Sequence, residues 1–316
     1  MPQPSGDMKF KGVIVNEGPG SPNQQSVLHV LQALQRLERS AERRPGDRRT
    51  GAIPSVVVKL TPEAFAFCHR GGVDEGSQTW SHFQVRRLFQ EYRIESKRGS
   101  KIDLEAPIAN LLHVFTSCAT SDRTTLRLSN GRDGRPVLGF EFSLAGNATD
   151  HKVDQEVPVR VIAEAEADFI CEPALPEPEY QIEIPGSVAR IRNVLDRMRQ
   201  VGSQFVVVEA AQEVVADASA PKRAWLRLSA ESELVEIATT FPGLSLVMEG
   251  KSTPSPEGPV RLLLSLKRLA EVLAAVERLG ADAHIACVLE GRALVLYALL
   301  PAGLGSLISY TPAVVL

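Results

Sequence analysis

The stretch LPEPEYQIEIPGSVARIRNVLDRMRQVG, Leu175 to Gly202, decides how the rest of the chain is read. Its centre, YQIEIP, alternates apolar and polar residues at the period of a strand. From Gly186 the period changes. Val188, Ile191, Val194, Leu195, Met198 and Val201 now fall at helical spacing. Arg190, Arg192, Arg197 and Arg199 stand between them against a single acid, Asp196. At ~100° per residue, Arg192 and Arg199 lie on one flank of the apolar face and Arg190 and Arg197 on the other. A strand running into a cationic amphipathic helix is unexpected in a chain whose net charge is -3.

Three more amphipathic helices are expected. Residues 26–44 carry +2, residues 106–119 carry 0 and residues 265–279 carry +1, against +3 for 186–202. The four helices together carry +6, which leaves -9 for the remainder. On the first helix Val27, Val30, Leu31, Leu34, Leu37 and Ala41 share one face, and Arg36, Arg39 and Arg43 the other. On the second, Ile108, Leu111, Leu112 and Phe115 turn inward and Asn110, His113 and Ser117 outward. On the fourth, Leu266, Leu269, Leu273, Val276 and Leu279 turn inward and Lys267, Ala274 and Arg278 outward, with Gly280 as the stop. Any one such helix is ordinary. Cations gathered on helices in an acidic chain point instead to phosphate as the ligand of one face.

Around the helices lie short runs rich in β-branched and aromatic residues, which read as strands. MKFKGVIVN precedes the first helix. SVVVKL, AFAFCHR, QTWSHFQV, EYRIES and KIDLEA separate it from the second, and TTLRLS, PVLGFEFSL and EVPVRVI follow. YQIEIP opens a second half. There QFVVVEAA, RAWLRLS and LVEIATTF precede the fourth helix, and HIACVLE, ALVLYALL and SLISYTPAVVL follow it. The same order occurs twice. Runs of strands with few helices predict an α+β protein with antiparallel sheets. Between the halves, AEAEADFICEPALPEPE (163–179) has six acids, three prolines and no base, the composition of an extended, solvated connector. The expected organisation is residues 1–162, a connector over 163–179, and residues 180–316.

Composition and motifs bound the function. A chain of 316 residues has room for two domains, and no apolar run reaches the length of a membrane span. MPQPSGDMKFKG has no apolar signal core, so secretion is not expected. Cys68, Cys118, Cys171 and Cys287 lie far apart without metal-ligand spacing and read as free thiols. Gly18 and Gly20 imitate a dinucleotide loop, but Asn23 holds the third glycine position. The next two strands are separated only by TPE, which makes a hairpin where that fold needs a helical crossover. The sequence contains no nucleophile elbow, metal-ligand cluster or phosphate loop, so no catalytic residue, metal or cofactor is expected.

The opening stretch resembles the sliding-clamp family where its connector enters the second domain. There a PE.EY turn leads into a strand and then a helix whose bases face a ring hole. MKFKGVIVN, TWSHFQVRRLFQEYRIES, KIDLEAPIANLL, VPVRVI and YTPAVVL resemble, in that order, the Hus subunits of the heterotrimeric nine-one-one checkpoint clamp. The resemblance implies two tandem clamp domains, with antiparallel sheets outside and two helices per domain lining the hole. It implies a non-enzymatic, nuclear subunit acting in DNA-damage signalling and repair, present in the cytoplasm before assembly. Its partners would be two other clamp subunits, a clamp loader, double-stranded DNA and repair or checkpoint clients. Arg36, Arg39, Arg43, Arg190, Arg192, Arg197, Arg199, Lys267 and Arg278 would face DNA. Subunit contacts would run through Val157, Val159 and Val161 and through Val235, Ile237 and Thr239. Phe169, Ile170, Leu175, Tyr310 and Pro312 would form a client groove. The alternative is a homotrimeric replication clamp serving polymerase processivity.

Overall fold

The computed structural model describes residues 8–16, 22–42, 53–70, 77–143, 152–213, 222–247, 256 and 258–315. They fall into two compact units. The first takes described residues of 1–69, 80–172 and 300–306; the second takes those of 70–79, 173–299 and 307–316.

In the first unit β1 (Lys9–Val15) leads into α1 (Pro22–Glu42). Then come β2 (Ser55–Leu60), β3 (Ala64–Arg70), β4 (Gln78–Gln84), the single turn α2 (Val85–Leu88), β5 (Glu91–Glu95) and β6 (Ile102–Pro107). After α3 (Ile108–Cys118) follow β7 (Arg123–Asn130), β8 (Pro136–Ser143), β9 (Lys152–Pro158) and the two-residue β10 (Arg160–Val161). One sheet has the order β5-β1-β7-β8-β9, and β10-β6-β2-β3-β4 are neighbours in another. The hairpin expected at TPE is present: Thr61 N–H donates to Ala64 C=O and Thr61 Oγ1 accepts from Ala64 N–H. α1 packs on α3. Val27, Val30, Leu31, Leu34, Ile108, Leu111 and Phe115 are almost fully buried between helices and sheet, because their 3.6-residue stripe meets the period-two inner faces of the strands.

The second unit repeats this plan. α4 (Glu164–Ala167) intervenes, and then β11 (Tyr180–Ile184) leads into α5 (Ala189–Gln200). β12 (Phe205–Gln212), β13 (Arg223–Glu231), β14 (Glu236–Leu246) and β15 (Val260–Ser265) precede α6 (Leu266–Val276). β16 (Ala283–Leu289), β17 (Ala293–Leu299) and β18 (Gly305–Pro312) close the order β18-β17-β16-β11-β14-β13-β12-β15. Pairings β1–β7 and β7–β8 recur as β11–β16 and β16–β17, and β2–β6 recurs as β12–β15, all antiparallel.

Four expectations need correction. VRLLLS is the strand β15, which the apolar run into α6 conceals; Ser265, whose Oγ accepts from Arg268 N–H, marks the boundary. EVPVRVI is not one strand. Pro158 ends the ladder with β8, and Arg160–Val161 instead pair with Glu105 and Leu104 of β6. LVEIATTF enters its strand only at Glu236, and Val235 stays in the preceding turn, where Ser232 N–H donates to Val235 C=O. α6 ends at Val276, so Arg278 follows the helix.

Candidate functional site

The helix layer of the second unit gathers the cations that opened the reading. Val188, Ile191, Leu195 and Met198 are buried, so Arg190, Arg197 and Arg199 are held outward on α5, and Lys267 is exposed on α6. Arg190, Arg197 and Arg278 have no acid within ion-pair distance among the described residues. Arg199 shares Asp196 at 3.8 Å, and Lys267 lies 3.9 Å from Glu271. Arg192 differs. It is half-buried and bridges to Glu277 just past α6 and to Asp196 on its own helix, so it fastens α5 to α6. Sequence periodicity places it on a flank but does not register an acid 85 residues away. In the first unit Arg39 is exposed and Arg36 half-buried on α1, while α3 shows solvent Asn110, His113 and Thr116 and carries no Lys, Arg, Asp or Glu. Arg43 lies outside the described residues.

The expected interface residues separate into different roles. β9 ends its sheet, and its pairing among the described residues is with β8 alone. Val157 on β9 is fully buried beneath it, and Val159 is buried between β9 and β10. Val161 belongs to the β10–β6 pair. β14 pairs with β13 along Glu236–Phe241 and touches β11 only at Ser245 and Leu246, so its first half keeps an open edge among the described residues. Ile237 and Thr239 are half-buried there, and Val235 is 45% exposed.

The connector is not uniformly extended and solvated. Its first part is clasped to the first unit. Arg160 donates to Glu105 at 2.7 Å and, through both terminal nitrogens, to Glu166 at 2.7 Å; these bonds hold the Glu166 carboxyl below its usual range. Arg98 reaches Asp103 at 3.1 Å, Glu164 at 3.5 Å and Asp168 at 3.7 Å. Lys59 pairs with the buried Asp103 at 3.0 Å and donates to Ile170 C=O at 2.9 Å. Ile170 is therefore buried rather than available, whereas its neighbour Phe169 is 79% exposed.

The second part of the connector roofs a cleft of about 300 Å³ in the second unit. Pro173, Leu175, Pro176 and Pro178 face Ile285, Cys287 and Leu289 of β16, Val295 and Tyr297 of β17, and Tyr310 of β18. Leu175 and Tyr310 thus meet as expected. Phe169 and Ile170 belong to the other unit, and Pro312 does not line the cleft. The β16 and β17 residues were missed. Their signal is present in HIACVLE and ALVLYALL, apolar on both alternating faces, which means a strand covered on both sides. Cys287 is buried, and burial pushes its thiol up to about 12.

The charge away from the four long helices is not uniformly acidic either. Residues 85–101 carry +4, more than α5.

A family model described as Hus1-like protein matches residues 49–315. The checkpoint protein hus1 of Schizosaccharomyces pombe is 28% identical over 233 residues, 70% of this chain and 76% of its own length. The hus1 homolog of Dictyostelium discoideum is 24% identical over 249 residues, 77% of this chain and 84% of that protein. Human checkpoint protein HUS1 is 23% identical over 197 residues, 60% of this chain and 64% of its own. Among solved structures, the PCNA2-PCNA3 complex of Sulfolobus tokodaii is matched with a TM-score of 0.60 at 12% identity, over 96% of this chain and 98% of that one. At that identity the likeness is one of fold.

Proposed function

The chain belongs to the Hus1-like family, and from that membership we propose that it is a non-enzymatic subunit of a heterotrimeric, DNA-encircling clamp of the DNA-damage checkpoint. The observation that carries this reading is the family match over 49–315, which spans parts of both units of the sliding-clamp fold. The chemistry agrees with it. Arg39, Arg190, Arg197, Arg199, Lys267 and Arg278 are exposed, and contacts to phosphate carry no base information, which suits a ring that slides. The open edges of β9 and β14 offer unpaired backbone groups of the kind that join chains by strand pairing. The cleft under Pro173–Pro178 sets apolar side chains beside polar surface, Gln181 included, and is of a size that admits a short client peptide. On this reading the subunit acts in the nucleus, with two other clamp subunits, a loader and repair or checkpoint clients as partners.

Stoichiometry tests the reading. The chain is expressed alone and with its two cognate subunits, and mass is measured by light scattering after gel filtration. The expected result is a 1:1:1 complex with one copy of this chain, and no trimer of the chain alone. A stable homotrimer would overturn the checkpoint assignment in favour of a replication clamp.

A further inference from the structure

The +4 strip at residues 85–101 is not on the helix layer and has no part in the proposed function. It runs along an edge. β5 is the terminal strand of its sheet, about 17 Å long at ~3.4 Å per residue. Arg86 and Arg87 are exposed just before it, because Val85 and Leu88 of α2 are the buried pair of that turn. Arg93 is exposed at its centre. Lys97 and Lys101 are exposed on the turn after it. That turn is ordered: Ser96 Oγ accepts from Arg98 N–H and donates to Lys101 C=O.

The other exposed cations of this sheet are neutralised. Lys9 lies 3.4 Å from Glu95, Arg123 3.3 Å from Glu91, and Arg127 and Lys152 3.5 and 3.7 Å from Glu141. Arg86, Arg87, Arg93 and Lys101 have no acid within ion-pair distance among the described residues. A single charge is enough to discourage unwanted pairing at an edge. A row of unneutralised cations along an open backbone does more than discourage; it selects an anion.

We infer that the β5 edge receives an acidic, extended peptide segment as an added strand. The edge offers alternating N–H and C=O groups, which a peptide uses in full, while the cations flank it at both ends and the middle. A nucleic-acid strand uses the cations and N–H donors but leaves the carbonyls unmatched, so the observations favour peptide.

The test uses the full chain and a fluorescent nine-residue peptide alternating Asp and Val, with anisotropy as the readout. Two versions carry N-methyl groups on alternate amides, one set in each register. The expected result is saturable binding that falls at least tenfold with Arg86→Glu, Arg87→Glu and Arg93→Glu combined, and at least tenfold with one methylated register but not the other. Thermal melting checks that the triple variant is folded, and Arg93→Ala alone should weaken binding in the same direction. No binding, equal effects of both methylated registers, or tighter binding of a twelve-residue oligothymidylate would each overturn the inference. These outcomes are independent of ring stoichiometry, so failure here leaves the checkpoint reading untouched.

Discussion

At Gly305 the chain leaves no room for a side chain. Its φ is +149°, and a Cβ placed there would lie 1.7 Å from the His82 carbonyl oxygen, a backbone atom that cannot rotate away. Gly305→Ala should therefore destabilise by about 2 kcal/mol or more, measured by denaturant unfolding, since backbone must move to admit the methyl group. A neutral result would mean that the Gly305 and His82 backbones separate readily. His284 on β16 poses a different residue-scale question. It is 5% exposed, and among the described residues neither ring nitrogen has a hydrogen-bond partner of normal geometry. Burial pushes its pKa below the usual 6.5, and polar backbone at Gly186 offsets only part of this. The unfolded chain then binds more protons than the folded one below pH 6.5. The His284 contribution to stability is complete above that pH and is lost as pH falls toward the depressed folded value. The melting temperature should drop between pH 7 and pH 5, by at most about a tenfold change in folding equilibrium per pH unit for one proton. His284→Phe should flatten the slope in that window; an unchanged slope would assign the pH dependence elsewhere.

Among elements, the α5–α6 pair separates an arginine held by acids from arginines left exposed. Arg192 is held by Glu277 and Asp196, so Arg192→Ala should cost about 1 kcal/mol by leaving Glu277 half-buried without its partner. Arg190→Ala and Arg197→Ala should leave stability within about 0.5 kcal/mol of the parent. In the assembled ring, each should reduce the salt slope of DNA binding by about 0.9 per phosphate contact removed. Equal effects of all three on the slope would contradict the distinction. The edge of β9 gives a second test. Successive N–H groups of a strand point to opposite sides, so of Asp154→Pro and Gln155→Pro only one removes a donor from the β8 ladder. The other should block ring assembly while leaving thermal stability nearly intact, and assembly by both variants would exclude β9 as the interface. These element-scale properties were unevenly legible in sequence. Helix α5 declares itself because its apolar spacing is unbroken from Val188 to Val201. The partnership of Arg192 with Glu277 does not, since helical spacing gives direction without naming the neighbour. β15 merges with the apolar run of α6, and Pro158 breaks EVPVRVI in a way that only the position of β6 explains. The acidic connector reads as solvated because Arg98, which pairs with Glu164 and Asp168, and Lys59, which holds the Ile170 carbonyl, lie more than 60 residues earlier.

At the scale of the whole molecule, the duplicated order of strands and helices was legible from the pattern itself, because each half must build the same two-layer core. The distribution of charge was legible only in part. Counting correctly set +3 on α5 but spread the deficit evenly over everything else, and so passed over the cationic strip beside β5. The cleft under the connector was half legible: Leu175 and Tyr310 stand out, whereas Ile285, Leu289, Val295 and Tyr297 look like ordinary core until both faces of their strands are covered. On the clamp reading, DNA is held by enclosure, and the arginines add only a screened attraction to phosphate. The direct measurement loads the complex of this chain with its two partner subunits onto nicked circular DNA, raises the salt until simple phosphate contacts are lost, and then cuts the circle once. The complex is expected to stay with the circle through gel filtration at high salt and to leave the DNA after linearisation. Loss from the uncut circle at the same salt as from linear DNA, or retention that cutting does not change, would rule out enclosure.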